Sequence, residues 1–217
     1  MSDPQFSPIL VPLGDTSLLV RFGTRLDDGA NRRAVAFARQ LAAMPPSGVV
    51  EVSASLVSVQ LRYDPKVVGF EALCGDVRLR IGAVEGQATP VRRERIAVRF
   101  DGEDLPEVAA ALGLNAKAFV AAHNAVPLRV LATGFAPGFV YCGFHESALT
   151  ITRRTTVRSL VPAGTVLFAA GQTAIAATPI PTGWHVIGHT AFANFDAGAR
   201  PPVRLAAGDE ISFEALS

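Results

Sequence analysis

The sequence predicts an α+β N-terminal domain followed by a mostly-β barrel domain. Three observations carry this: helical and strand periodicities intermixed up to residue 81, a polar Gly- and Pro-bearing stretch at 82–94, and short apolar runs punctuated by Gly and Pro from residue 128 onward. At 217 residues the chain has room for one large domain or two small ones. Hydrophobic residues make up 49% and charged residues 18%, so enough apolar surface is available to offset the entropy of ordering the chain.

The N-terminal elements follow in order. Residues 9–11 and 16–22 read as strands joined across the Gly14-Asp15 turn, a hairpin. From 30 to 44, Val35, Phe37, Ala38, Leu41 and Ala42 recur at helical spacing until Pro45-Pro46 stops the run. Val57, Val59, Leu61 and Tyr63 alternate with polar residues, a half-buried strand ending at Asp64-Pro65. A short helix at 70–74 and a strand at 77–81 complete the unit. Two helices against an antiparallel or mixed sheet suggest a sandwich of ferredoxin-like type. The stretch GAVEGQATPVRRE marks the boundary, giving domain limits of 1–85, a linker at 86–94 and a second domain at 95–217.

In the second domain, Ile96, Val98 and Phe100 alternate with Arg95, Ala97 and Arg99 in a strand that stops at Asp101-Gly102. A short helix at 105–112 is closed by Gly113, and Asn115 is placed to cap a second one running to 124. Beyond residue 128 the spacing of short strands suggests a closed or nearly closed barrel.

Composition excludes several classes of function. Lys plus Arg is 20 against 19 for Asp plus Glu, so no long-range field draws polyanions, and nucleic acid is not the expected ligand. The opening MSDPQFSPIL has neither a basic n-region nor a continuous apolar stretch. The most apolar long segment, 160–177, is interrupted by Pro162, Gly164, Gly171, Gln172 and Thr173, so no membrane span is expected. Cys74 and Cys142 are read as two buried thiols in a reducing cytoplasm rather than a disulfide.

Chemistry concentrates in a few places. Gly134, Phe135, Ala136, Pro137, Gly138, Phe139, Val140 and Tyr141 alternate backbone-permissive residues with aromatics; they suit either the wall of a ligand site or a barrel corner that fills the core. Arg153, Arg154 and Arg158 fit bidentate recognition of carboxylate or phosphate, or a solvated edge strand. In an extended segment Arg154 and Arg158 share one face and Arg153 takes the other. His185 and His189 sit in strand-like surroundings, where their spacing separates the rings by about 13 Å, so no metal is expected. His145-Glu146 lacks the second histidine of a zincin helix, His123 falls near a helix end, and Cys142 in an apolar neighbourhood would be inert. Neither a Walker loop nor a dinucleotide glycine pattern occurs.

Taken together, LGDTSLLVRFG at 13–23, GFAPGFVY at 134–141, RR followed by VPAGTV within 153–166, GQT at 171–173, GW and IGHT at 183–190 and PPVRLAAGDEISF at 201–213 resemble the family of B-type subunits of 5-oxoprolinase, also labelled allophanate hydrolase subunit 1 or KipI-like. The resemblance implies an α+β domain followed by a cyclophilin-like barrel. It also implies work beside a subunit 2/C (KipA-like) protein, with a third LamB/YcsF-type subunit, in an ATP-dependent opening of 5-oxo-L-proline to L-glutamate. Family alternatives are a non-catalytic regulator of a histidine kinase and a carboxyltransferase module of a urea carboxylase-like enzyme. Carried onto this chain, the resemblance marks Arg153, Arg154, Arg158 and His189 as catalytic candidates. It marks Gly134, Phe135, Pro137, Gly138, Phe139, Tyr141, Gln172, Thr173 and Trp184 as substrate-binding candidates, with Asp196 also matching. The chain departs from the family where relatives have proline at Thr152 and Val157, Tyr-Pro at Ala176-Ala177, glycine at Thr182, arginine at His189 and Pro-x-Tyr at Ala54-Ser55-Leu56.

Overall fold

The computed structural model describes residues 7–83 and 91–216. The chain splits into two compact units, Met1–Pro90 and Val91–Ser217. Most of the expected 86–94 linker lies outside the described residues, and Arg93 and Glu94 already belong to a strand of the second unit.

In the first unit β1 (Ile9–Leu13) turns at Gly14-Asp15 into β2 (Ser17–Arg21), the hairpin the sequence predicts. α1 (Asp28–Ala43) opens where the Asp27 carboxylate accepts the Ala30 N–H at 2.8 Å, and buries Ala34, Phe37, Ala38 and Leu41. β3 (Val49–Ala54) and β4 (Ser58–Tyr63) follow, then α2 (Phe70–Ala83). The sheet runs β1-β2-β4-β3 with every pair antiparallel. Its core joins Leu18, Val20, Val59 and Leu61 to Phe37, Leu41, Leu73 and Val77.

Two expectations need correction here. The strand at 77–81 is instead the continuation of α2, which replaces both it and the short helix at 70–74. The V-R-L-R-I alternation imitates a strand, but Leu73 and Val77 lie one helical turn apart and are buried, while Leu79 between the arginines is 79% exposed. An Asp76–Arg80 ion pair at 2.9 Å spans the same turn. Strand β3 is an addition to the expected elements; its VVEVSA bears only partly buried residues on one side, a weak alternation signal.

The second unit begins with β5 (Arg93–Val98), α3 (Leu105–Ala111) and α4 (Ala116–His123), with Asn115 capping α4 through the Ala118 N–H at 2.8 Å. There follow β6 (Leu128–Thr133), β7 (Val140–Gly143), β8 (Arg158–Val161), β9 (Thr165–Ala169), β10 (Gln172–Ile175), β11 (Ile180–Thr182), β12 (His185–His189) and β13 (Glu210–Ala215). Seven strands form one sheet in the order β12-β9-β10-β7-β6-β13-β5, and β11 pairs with β8 in a separate ribbon. The large sheet curls until its two ends meet. Arg99 and His189 exchange backbone hydrogen bonds at 2.8 Å, and the Gly102 and Asp104 N–H groups donate to Ile187 and Val186 O at 3.2 and 3.0 Å. Gly102 permits this seam, since a Cβ there would lie 2.3 Å from both Ile187 C and Val186 O.

Alternation along the strands sorts the core into two faces. Val140, Cys142, Val166, Phe168, Ile175 and Ile187 face one core, which α3 and α4 close with Val108 and Phe119. Leu167, Ala169, Ala174 and Val186 face a second, which the β8–β11 ribbon and the following turn cover with Val161, Ile180 and Trp184. Strands β9 and β10 are therefore buried on both sides. Cys74 and Cys142 are free and buried, and burial pushes both thiols up. No single helix among the described residues is long and apolar enough to cross a membrane.

Candidate functional site

The loop at 134–139 joins β6 to β7 and sets the aromatic residues in place. Phe139 N–H donates to Ala136 O at 3.1 Å across Pro137-Gly138, a turn with proline at its first corner and glycine at φ +69° at its second. A Cβ at Gly138 would lie 2.6 Å from Phe195 Cβ, so this loop packs closely on 194–195. The fully buried Asn194 fastens it, donating to Gly138 O at 2.8 Å while accepting the Leu205 N–H at 2.9 Å. Phe135 has φ +76°, a conformation that L residues rarely adopt, and the residue is 70% exposed.

From Phe135 the aromatic rings run in a chain. Phe135 meets Phe139 edge-on at 5.6 Å, Phe139 meets Tyr141 at 4.8 Å, and Tyr141 meets Trp184 at 6.0 Å. The guanidinium of Arg153 lies over Trp184, 5.4 Å from the ring centroid, within cation–π range. Burial raises the Tyr141 hydroxyl, with the nearby Arg153 charge opposing, so it stays a neutral donor. Trp184 is held by the preceding turn, where its backbone N–H donates to Thr182 Oγ1 at 3.0 Å. The residues Phe135, Phe139, Tyr141, Trp184 and Arg153 thus form one wall, apolar with a single cation at one end. Ala176 is fully buried in the same cluster as Phe139 and Trp184.

The other two arginines do not join this wall. Arg154 and Arg158 turn instead to Asp104, which holds both, although the chain bends at 155–156 between them and only Arg158 lies on a strand. Asp104 Oδ1 accepts from Arg154 Nη1 at 2.6 Å and Arg158 Nη2 at 2.8 Å; Oδ2 accepts from Arg158 Nη1 at 2.8 Å and the Val186 N–H at 2.7 Å. Arg158 Nε also reaches Glu103 at 2.8 Å. Burial alone would raise the Asp104 carboxyl, but these donors and the two charges outweigh it and hold the group below the usual carboxylate range. Their guanidinium groups are therefore spent inside the protein.

Three more of the expected residues are also engaged elsewhere. The fully buried Thr173 hydroxyl lies 2.8 Å from both His123 Nε2 and His145 Nε2, on the core face beside Phe168. Burial pulls His123 down to about 4, and burial with the neighbouring His123 pulls His145 down to about 3, so both rings are neutral. His123 Nδ1 pairs with Asn124 Oδ1 at 2.7 Å, which makes the threonine the donor to His123 and the acceptor from His145. Gln172 is buried on β10 opposite Ala169. His189 closes the seam, its Nδ1 2.8 Å from Asp101, which that contact holds below the ordinary aspartate range. His185 is buried with Nε2 3.0 Å from Thr152 O. No metal-holding cluster of His, Cys, Asp or Glu occurs among the described residues.

Asp104 and Asn194 are invisible in the sequence as site residues. Asp104 reads there as a turn residue before a helix, and nothing in DGEDLP signals two arginines fifty positions away.

Comparison with known proteins matches residues 8–205 to the family described as carboxyltransferase domain, subdomain C and D. The chain is 31% identical over 219 residues to the B-type subunit of 5-oxoprolinase from Bacillus subtilis (strain 168), covering 94% of this chain and 91% of that protein. It is 32% identical over 208 residues to the B-type subunit of 5-oxoprolinase from Escherichia coli O157:H7, covering 93% of each. Among solved structures, TTHA0988 superposes with a TM-score of 0.81 at 36% identity; the match covers 93% of this chain but spans only 40% of the TTHA0988 chain. The Kluyveromyces lactis urea carboxylase shares the fold, with a TM-score of 0.75 at 15% identity, over 97% of this chain and 22% of that one.

Proposed function

The chain belongs to the carboxyltransferase-domain family, subdomains C and D, alongside proteins named as the B-type subunit of 5-oxoprolinase, and from that membership we propose that it is the smaller subunit of an ATP-dependent assembly opening 5-oxo-L-proline or a related cyclic amide. Its partner in this reading is a subunit 2/C (KipA-like) protein, with a third LamB/YcsF-type subunit. The longer TTHA0988 chain, of which this one spans 40%, supports a module that works beside a larger remainder. The first unit is then a ferredoxin-like sandwich in which β1 takes the place of the terminal strand, and the second a cyclophilin-like barrel.

The observation that carries the reading is the Arg153 guanidinium at the end of an aromatic wall. 5-Oxo-L-proline is a flat lactam ring with one carboxylate. The exposed Phe135 and the partly buried Tyr141 ring, backed by the buried Phe139 and Trp184, suit its apolar faces, Arg153 suits the carboxylate, and the neutral Tyr141 hydroxyl suits the lactam oxygen. An amide nitrogen leaves poorly, so the assembly would spend ATP on the lactam oxygen before water opens the ring. Arg154 and Arg158 are committed to Asp104, and in this reading the nucleotide is held by the partner. A second reading, a non-catalytic regulator, is favoured by the exposed Phe135 ring on its unusual backbone.

Co-expression with the candidate subunit 2/C protein, followed by pull-down and an assay for ATP-dependent glutamate release from 5-oxo-L-proline, tests the proposal. Copurification with glutamate release is the expected result. Copurification with no turnover of 5-oxo-L-proline or other cyclic amides, or no association at all, would shift the assignment to the regulator.

A further inference from the structure

We infer that Asp104 is the positioning residue that holds Arg153 against Trp184. Arg153 makes no hydrogen bond or ion pair among the described residues, so its place over the ring depends on where its backbone is fixed. Asp104 fixes it from both sides. One carboxylate oxygen holds Arg154, the next residue along the arginine segment; the other holds the Val186 N–H, two residues beyond Trp184 on β12. Both oxygens hold Arg158, at the far end of the arginine segment. Two further contacts tie the same strips together: Arg154 N–H donates to Gly183 O at 2.8 Å, and Asp104 N–H to Val186 O at 3.0 Å.

The carboxylate also forgoes a local use. Asp104 occupies the N-cap position of α3, yet its side chain makes no capping hydrogen bond and turns to the arginines instead. A residue retained only for helix stability would point the other way. Burial of the Asp104 side chain to 5% exposure, with every acceptor direction occupied, leaves it no contact with a ligand at the wall, so its action there runs through Arg154 and β12.

The inference rests on the reading of the wall as a ligand site only for its consequence in binding; its geometry is tested without any ligand. The chain has one tryptophan, so emission excited on the red edge, beyond tyrosine absorption, reports Trp184 alone. Arg153→Ala defines the emission change that follows loss of the cation. Asp104→Asn, folded by far-UV circular dichroism, is expected to reproduce at least half of that change. The double variant should add little to Arg153→Ala, and Asp104→Glu should restore most of the original emission. Thr173→Val, which disturbs the other core face, should leave it unchanged. Wild-type emission in folded Asp104→Asn, or full additivity in the double variant, would overturn the inference. Should Asp104→Asn not fold, Arg154→Gln removes one arm of the clamp while leaving the Arg158 pair; a partial shift supports the inference and wild-type emission overturns it.

Discussion

Acidification from pH 7 to pH 5 should remove about 4 kcal/mol from the stability of the second unit, through His123 and His145. In the unfolded chain both imidazoles take up protons from the ordinary value of 6.5 downward, whereas in the fold they remain neutral to about 4 and about 3. Protons are therefore bound preferentially by the unfolded chain, and stability falls with pH through this window until the folded values are reached. At pH 5 each ring contributes about 2 kcal/mol of that loss, out of a total domain stability of about 5–15 kcal/mol. Urea unfolding followed by Trp184 emission at pH 7, 6 and 5 measures it. His145→Leu, which removes one ring and leaves the Thr173 bond to His123, should halve the pH dependence. A midpoint that does not move between pH 7 and 5, or a His145→Leu variant with the full wild-type slope, would refute the neutral pair around Thr173.

Further outcomes follow from the same geometry. Thr173→Val keeps the shape but strands two buried imidazole nitrogens, and should lower stability by about 1–3 kcal/mol, with Thr173→Ser largely restoring it in urea melts. Gly102→Ala forces a Cβ into the seam and should destabilise by about 1–3 kcal/mol, with amide exchange at Gly102 and His189 accelerating more than at β10. Asn194→Ala leaves Gly138 O and Leu205 N–H unpartnered; limited proteolysis should then cut within 134–139, where the wild type resists.

Local chemistry makes much of the fold legible. Gly14-Asp15 between two alternating runs signals the hairpin, Asn115 the cap of α4, and Gly and Pro beyond residue 128 the short strands of the curled sheet. Reading fails where one local pattern suits two structures. The alternation at 77–81 fits a strand as well as a helix, and only packing of Leu73 and Val77 on one face decides it. Of the candidate site, the aromatic loop, Trp184 and Arg153 are visible as residue types; the extended reading pairs Arg154 with Arg158, but the chain bends at 155–156, so strand alternation does not produce the split from Arg153. Their different fates depend on Asp104, a contact across fifty positions that no local signal carries. Thr173 likewise reads as a polar member of GQT, while its partners His123 and His145 come from a helix end and a loop.

The measurement that bears most directly on the proposed site is 5-oxo-L-proline turnover by the chain copurified with its subunit 2/C partner, comparing wild type with Arg153→Ala. A charge-assisted contact to the substrate carboxylate is worth about 1.5–3 kcal/mol, so KM should rise about 10- to 100-fold while the complex stays assembled. An assembled, active complex whose KM is unchanged by Arg153→Ala would contradict the assignment of this wall to the substrate.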